Sequence, residues 1–244
     1  MSWLPVPARP PQVLLHTAAL FRLLAHGFVY PEPGHNRSFL RVLAKTAASS
    51  ADTPSLASLK LAWLTAGEAL LQAEYGRLFL GRVPCPLHET AYGDGRRIAG
   101  RAVELADISG FYAAFGLKLS QADPDLPDHL VSELEFYSLL LVKQAYAGSR
   151  RRPAQRAITR KAAHRFLEEH LGRWVGAFVA GLAAQTPAAP YRELARALRA
   201  LIARECAAVR ARPRLREGRP PLDETQADAF VCPHQAATTA GAAA

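Results

Sequence analysis

The sequence predicts an all-α protein built as a single compact helical domain, and three observations support this. Its 244 residues are rich in Ala, Leu and Arg, and 50% of them are hydrophobic. Apolar residues recur at helical spacing along most of the chain. The β-branched and aromatic residues that favour strands rarely fall in alternating runs. We expect one helical domain over residues 1–212 and a flexible, disordered tail over 213–244.

Apolar periodicity, together with Pro and Gly turn signals, places the individual elements. The predicted helices, in chain order, are 12–28, 36–48, 55–80 with a break at Gly67, 98–115, 127–147, 154–169, 170–184 and 191–210. Residues 81–95 carry two prolines and three glycines, so they are predicted to form an irregular loop. A loop of that length inside a compact domain is often functional.

The N-terminal segment and the cysteines indicate where the protein resides. MSWLPVPARPPQVLL has no cationic region leading into an uninterrupted apolar stretch, so it is not a secretory signal. The longest nearly uncharged apolar stretch, 174–184, is well short of the roughly 20 residues that span a bilayer. Three widely spaced cysteines indicate reduced thiols. We expect a cytoplasmic protein without a membrane span, as a monomer or dimer.

The charge is unevenly distributed. The net charge is +9, from 30 Lys and Arg against 21 Asp and Glu, and the excess lies mainly between residues 150 and 219. A basic face can bind nucleic acid. However, an Arg-rich helical protein has the same excess of positive charge when its arginines are simply exposed to solvent. A helical nucleic-acid-binding regulator that uses this basic C-terminal third is therefore the alternative to the function derived below. Steep salt dependence of binding to generic duplex DNA would favour it.

Residues 121–142 invert this charge, because they contain no Lys or Arg. The acidic residues of the stretch are Asp123, Asp125, Asp128, Glu133 and Glu135. With a helix that begins near Pro127, Asp125 can act as the cap and Asp128 lies in the first turn, where carboxylates favour the helix dipole. Glu133 and Glu135 lie past that turn. A ligand-facing acidic patch is therefore the alternative to a purely structural role.

No combination of residues specifies a reaction. Asp128 and His129 are adjacent on the predicted helix, so their side chains point about 100° apart and do not form a catalytic dyad. The chain lacks a nucleophile motif and a phosphate-binding glycine loop. We therefore predict that it is not an enzyme and has no cofactor. Two weak metal-ligand pairs, Cys85 with His88 and Cys232 with His234, lack the spacing of a closed site, so no metal is expected.

Five segments together resemble the TorD/DmsD family of molybdoenzyme maturation chaperones, a branch of the wider group that includes NarJ. They are AEYGRLFLG (73–81), PCPLHETAYG (84–93), FYAAFGLKL (111–119), DLPDHLVSELEFYSLL (125–140) and FLEEHLGRWVGAF (166–178). The fourth segment is the most specific, and the resemblance extends from about residue 14 to 208. It implies an all-helical TorD-like fold that binds an apo catalytic subunit before its molybdenum cofactor is inserted. It also implies binding of that subunit's twin-arginine leader.

The resemblance also indicates where the client binds. The family's Asp-His pair falls on Asp128 and His129, and its acid-bearing loop falls on Glu89, Thr90 and Tyr92. The sequence departs from the family pattern at Thr90, where Ser is commoner, and at Tyr137, where Met is common.

A twin-arginine leader carries two guanidinium groups beside an apolar stretch, so its receptor needs carboxylates beside apolar side chains. The predicted client- and leader-binding residues are Asp128, His129, Glu133, Glu89, Tyr92, Glu135 and Phe136. We expect Asp128→Asn and His129→Ala to weaken client binding and to change folding little, because both residues are predicted to lie in a first helical turn.

Overall fold

The computed structural model describes residues 8–48, 53–80, 83–93, 98–117 and 126–216. Its α-helices are α1 (Pro11–Gly27), α2 (His35–Ala47), α3 (Thr53–Leu64), α4 (Glu68–Phe79), α5 (Ile98–Ala114), α6 (Leu130–Ser149), α7 (Pro153–Phe166), α8 (Gly172–Gln185) and α9 (Ala189–Val209). Within these ranges the fold is all-α, as predicted. Its only strand-like feature there is an isolated bridge between His88 and His129. Among the described helices, none is long and apolar enough to cross a membrane.

Glycine and proline set the helix boundaries where the sequence places them. α1 begins with Pro11, whose missing N–H costs nothing at a helix start. Gly34 adopts φ +83 before α2, a conformation that side chains with a Cβ disfavour. Gly67 is extended between α3 and α4, which confirms the predicted break.

α6 is the central helix and packs chiefly against α1 and α7, while α9 packs against α3 and α8. The core between them is aromatic: Trp63, Trp174 and Tyr191 are almost completely buried. Burying a large apolar side chain contributes roughly 1.5–3 kcal/mol, so these rings hold the helices together. α1 approaches α9 closely at Gly27, where an added Cβ would lie 2.7 Å from a methyl group of Leu194.

A π-helical turn, Leu167–Leu171, joins α7 to α8. A π turn holds one residue more than an α turn, and such turns are common at functional sites. Leu167 and Leu171 are buried in the core, and the ring of His170 is buried beside them.

After α9 the chain packs against the π turn and the start of α8. Arg210 ends α9 in a left-handed conformation with φ +58, and Arg212, Pro213 and Arg216 then contact Glu168, Gly172 and Arg173. We call residues 211–216 the C-terminal strap. The chain stays packed as far as Arg216, four residues past the predicted domain boundary at 212, because this arginine is buried among carboxylates. The rest of the predicted tail lies outside the described residues.

Candidate functional site

The loop predicted at 81–95 packs against the start of α6; residues 83–93 of it are described and are called the site loop here. The N–H of Glu89 donates to the carbonyl of Asp128 at 3.0 Å, and the N–H of Leu130 donates to the carbonyl of Leu87 at 2.7 Å. These backbone bonds fasten the two segments to each other. The two regions that the sequence analysis selected separately are therefore brought together.

Asp128 links these two segments through its side chain. One carboxylate oxygen lies 3.2 Å from Nδ1 of His88, and the other accepts hydrogen bonds from Thr90 N at 3.1 Å and Thr90 Oγ1 at 2.6 Å. Burial alone raises the pKa of Asp128, but the hydrogen bonds from His88 and Thr90 outweigh it and hold the pKa below its usual value. Asp128 is therefore a buried, charged clamp on the site loop.

His129 is the N-cap of α6. Its ring Nδ1 accepts the N–H of Val131 at 3.3 Å, so it satisfies one of the free donors at the helix start. The prediction that this helix begins near Pro127 is wrong by three residues, because Leu126 to Asp128 form a turn that the His129 N–H closes onto the Leu126 carbonyl. Asp128 consequently precedes the helix. The proposed cap Asp125 lies outside the described residues.

Two further predicted acids, Glu89 and Glu133, are fully buried next to each other. Trp174 Nε1 donates to Oε2 of Glu133 at 3.1 Å. Burial raises the pKa of Glu133 well above its usual value, and the charge of Glu89 raises it further. The neutral acid is thus the favoured form of Glu133, which makes it a poor counter-ion for a guanidinium group.

His170 connects this buried pair to the surface. Its Nδ1 lies 3.2 Å from Oε2 of Glu89, and its Nε2 lies 3.1 Å from Oδ2 of Asp107. Asp107 is on α5, and its side chain is 55% exposed. The π turn that carries His170 therefore bridges a buried carboxylate and an exposed one.

Arg216 of the C-terminal strap is the cation of the cluster. Its Nη2 lies 2.7 Å from Oε1 of Glu89, an ion-pair contact that lacks hydrogen-bond geometry. Its Nη1 donates to Glu104 at 3.1 Å and to the carbonyls of Glu89 and Tyr92 at 3.3 and 3.2 Å, and Nη2 also pairs with Glu104. The chain of CH₂ groups covers Gly93, where an added Cβ would lie 3.1 Å away.

The cluster lies almost entirely inside a segment with known counterparts. Residues 44–180, more than half of the chain, match the family model described as nitrate reductase delta subunit. The chain belongs to the nitrate reductase delta subunit family. The matched segment includes the site loop, α6 and the π turn, whereas Arg216 lies beyond it.

Two proteins similar to this delta subunit family member are named as assembly chaperones. A selenate reductase assembly chaperone from Thauera selenatis is 35% identical over 64% of this chain and 76% of its own length. A chlorate reductase assembly chaperone from Ideonella dechloratans is 36% identical over 46% of this chain and 57% of its own length. A solved structure named as a redox enzyme maturation protein from Archaeoglobus fulgidus has a TM-score of 0.48 and 19% identity, covering 83% of this chain and 99% of that one. The resemblance to maturation chaperones, and with it the prediction of a protein that is not an enzyme, is confirmed by the family and the two chaperone relatives.

The remaining predicted site residues of this delta subunit family member differ in exposure. Tyr92 is buried, donates its hydroxyl to the carbonyl of Pro86 at 3.0 Å and lies against Trp174. Phe136 is buried in an aromatic cluster of α5, α6 and α7. Of the seven predicted residues, Glu135 alone is exposed to solvent. The inward orientation of the other six was not expected from the sequence.

Sequence reasoning missed several members of the cluster. They are Glu104, Asp107, His170, Trp174 and Arg216. His170 and Trp174 lie in the fifth family-like segment, FLEEHLGRWVGAF. The family resemblance could therefore have indicated them as site residues. Arg216 lies in the predicted flexible tail and had no such signal.

Of the two weak metal-ligand pairs, Cys85 with His88 lies in the described part of the chain. There, no group of three or more His, Cys, Asp or Glu side chains is placed to hold a metal ion. His88 pairs with Asp128, and burial raises the pKa of the Cys85 thiol to about 11, which disfavours the thiolate that binds metals. Cys232 and His234 lie outside the described residues.

Proposed function

We propose that this protein is a dedicated cytoplasmic chaperone for the apo catalytic subunit of a molybdenum-cofactor oxidoreductase. It holds that subunit, and its twin-arginine leader, until the cofactor is inserted and the subunit is exported or assembled. The observation that carries this proposal is that two relatives, at 35% and 36% identity, are assembly chaperones for selenate and chlorate reductase.

The surface above the acidic cluster has the chemistry that a twin-arginine leader requires. Asp107 and Phe111 are four residues apart on α5, so a half-exposed carboxylate and a partly buried aromatic ring share one helix face. The ring of Phe111 lies 5.4 Å from that of His170, beside the cluster. Carboxylates next to apolar side chains bind guanidinium groups attached to an apolar peptide.

The predicted residues then divide into two roles. Asp128, Glu89 and Glu133 are buried, so they position the site loop and α6 instead of touching a client. Glu135 and Asp107 are exposed and supply client-facing charge, and His88, with 35% of its side chain exposed, adds a polar edge. Tyr92 and Phe136 are buried, so they also support the site through packing.

No specific observation favours the nucleic-acid alternative. Several arginines of the basic C-terminal third are engaged within the molecule. Arg165 pairs with Glu169, Arg196 with Glu193, Arg216 with Glu89 and Glu104, and Arg156 donates to the carbonyl of Arg9. Arginines held in internal ion pairs and hydrogen bonds contribute less to the phosphate contacts that drive nucleic-acid binding.

A pull-down of the tagged chain from its own cells tests the proposed function. The expected partner is a molybdoenzyme catalytic subunit in its cofactor-free form. Titration calorimetry with that subunit's leader peptide then tests the site. Each of Asp107→Asn and Glu135→Gln should weaken leader binding about tenfold, because each removes a charge-assisted contact.

Glu32→Gln is the matched control, since Glu32 is an exposed carboxylate on the loop between α1 and α2 and belongs to neither α5 nor α6. Its leader affinity should equal that of the unmodified protein. Recovery of duplex DNA or RNA instead of a catalytic subunit would contradict the proposal. Equal losses in all three variants would show that binding depends on net charge and not on this surface.

A further inference from the structure

The position of Arg216 depends on a strap with few anchors. The N–H of Arg216 donates to the carbonyl of Arg173 at 2.8 Å, and the N–H of Arg212 donates to Oε1 of Glu168 at 2.8 Å. Around Arg216 the strap is largely solvated: Leu215 is 72% exposed and Arg214 is also exposed. The strap is thus buried at its two ends, at Ala211 and at the Arg216 side chain, with exposed residues between them.

The surroundings of this guanidinium group bind its two terminal nitrogens, whereas Nε finds no hydrogen-bond partner among the described residues. Five acceptor atoms converge on it: both carboxylate oxygens of Glu104, Oε1 of Glu89, and the carbonyls of Glu89 and Tyr92. The planar, forked guanidinium group matches such a set of acceptors, and an ammonium group does not. All five acceptors belong to α5 and the site loop, so the pocket is built without the strap.

The pocket also contains more acid than its own chain neutralises with ion pairs. Glu89 and Glu104 share a single arginine side chain that is only 3% exposed, and the neutral acid Glu133 lies beside Glu89. A buried carboxylate needs a cation or a proton nearby, and a guanidinium group held among these acceptors supplies the cation, whichever chain it comes from.

We infer that this pocket is a guanidinium-binding site which the chain fills with its own Arg216 in the absence of a client, and that an arginine of the client leader displaces Arg216. The inference rests on the proposed function and deepens it. Arg214, Leu215 and Arg216 place two guanidinium groups around an apolar side chain, which is the chemistry of the leader itself. The strap is therefore an internal competitor, and its release is coupled to client binding.

Replacing the competitor tests this directly. In the full-length chain, Arg216→Ala should bind the leader peptide at least about tenfold more tightly than the unmodified protein, because a ligand gains affinity when its site no longer has to be vacated. Arg216→Lys keeps the charge but loses the fork, so its affinity should be intermediate. Both are measured by titration calorimetry.

The site can be tested without any leader. N-propylguanidinium should raise the melting temperature of Arg216→Ala, since it restores the missing group. Propylammonium, with the same charge and a different shape, should raise it much less, and neither compound should affect the unmodified protein at the same concentration. Equal effects of the two cations would contradict a guanidinium-specific pocket.

If Arg216→Ala does not fold, hydrogen exchange on the unmodified protein provides the decisive measurement. Leader binding should speed exchange of the Arg216 N–H, because displacement breaks its bond to the Arg173 carbonyl. If the leader binds the unmodified protein and Arg216→Lys equally, with no change in exchange over the strap, the inference is wrong and the proposed function stands. If no form binds the leader, both are wrong.

Discussion

Two buried glutamates, Glu205 and Glu89, each meet an arginine from a segment outside the helices, and the difference between them is informative. Glu205, on α9, is bound by both terminal nitrogens of Arg9 at 2.7 and 2.6 Å, and Tyr137 donates its hydroxyl to it at 2.9 Å. One acid, one base and one hydroxyl satisfy each other. Burial raises the pKa of Tyr137 well above its usual value, so the hydroxyl stays protonated as a donor.

The cluster around Glu89 has no such balance. Its arginine is shared with Glu104, and Glu133 adds a further carboxyl group. A one-to-one pair has no reason to exchange its partner, whereas an acid-rich site can accept a cation from elsewhere. The first cluster is therefore a structural tie, and the second is where binding is expected.

The largest effect should come from breaking the balanced cluster. Glu205→Ala leaves Arg9 and Tyr137 without their buried partner, so the free energy of unfolding should fall by about 3–5 kcal/mol. Arg196→Ala is the control on the same helix, because its ion pair with Glu193 is exposed on the arginine side and should contribute less than about 1 kcal/mol. Urea denaturation measures both. Similar losses in the two variants would remove the distinction between a tie and a surface pair.

An intermediate effect is expected for Asp128→Asn. The amide of the variant loses the charge-assisted contact with His88. The free energy of unfolding at neutral pH should therefore fall by about 1.5–3 kcal/mol. This replaces the expectation of a small folding cost, because Asp128 is a buried clamp and not a first-turn residue.

The pH dependence gives a second test of Asp128. Its folded pKa lies below the usual 3.8, so the stability that it contributes is complete above pH 3.8 and is lost as the pH falls through the lower folded pKa. Asp128→Asn should lack that part of the acid transition. Identical acid unfolding curves for the two proteins would contradict a charged clamp.

The smallest effect is expected for Glu133→Gln. Since the folded pKa of Glu133 is raised above the usual 4.5, its carboxyl contributes most stability below pH 4.5, and this contribution falls as the pH rises toward the folded pKa. Glutamine resembles the protonated acid, so the variant should be within about 1 kcal/mol of the unmodified protein or more stable at pH 7. Thermal melts between pH 5 and pH 8 should be flatter for the variant. A strong destabilisation at pH 7 would mean that Glu133 is needed as an anion.

Local patterns were sufficient for most of the fold. α3 and α4 separate at Gly67, and α1 ends before the Tyr30 to Gly34 turn. Both boundaries were predictable because helix periodicity and turn-forming Gly and Pro residues act over only a few residues. The start of α6 was misplaced for a tertiary reason. The Pro127 carbonyl accepts the hydroxyl of Tyr112, which holds that residue in a turn.

The site was predicted only in part. The charge inversion and the family resemblance selected Asp128, Glu89 and Glu133, and the structure does bring them together. Their inward orientation could not be predicted, because it is set by Trp174, His170 and Arg216, which lie 41 to 127 residues away from their partners in sequence. Sequence spacing carries no information about contacts of that range.

The π turn between α7 and α8 has a consequence for how this helix pair tolerates change in length. An additional residue in one turn rotates everything that follows it by about 100° relative to an uninterrupted helix. Phe166, before the turn, and Trp174, after it, can therefore both face the core while His170 faces the carboxylates. Deleting one residue here would restore ideal helix geometry and turn either the tryptophan or the imidazole away from its partners. The extra residue of the π turn is thus required for the imidazole and the tryptophan to reach their partners at the same time.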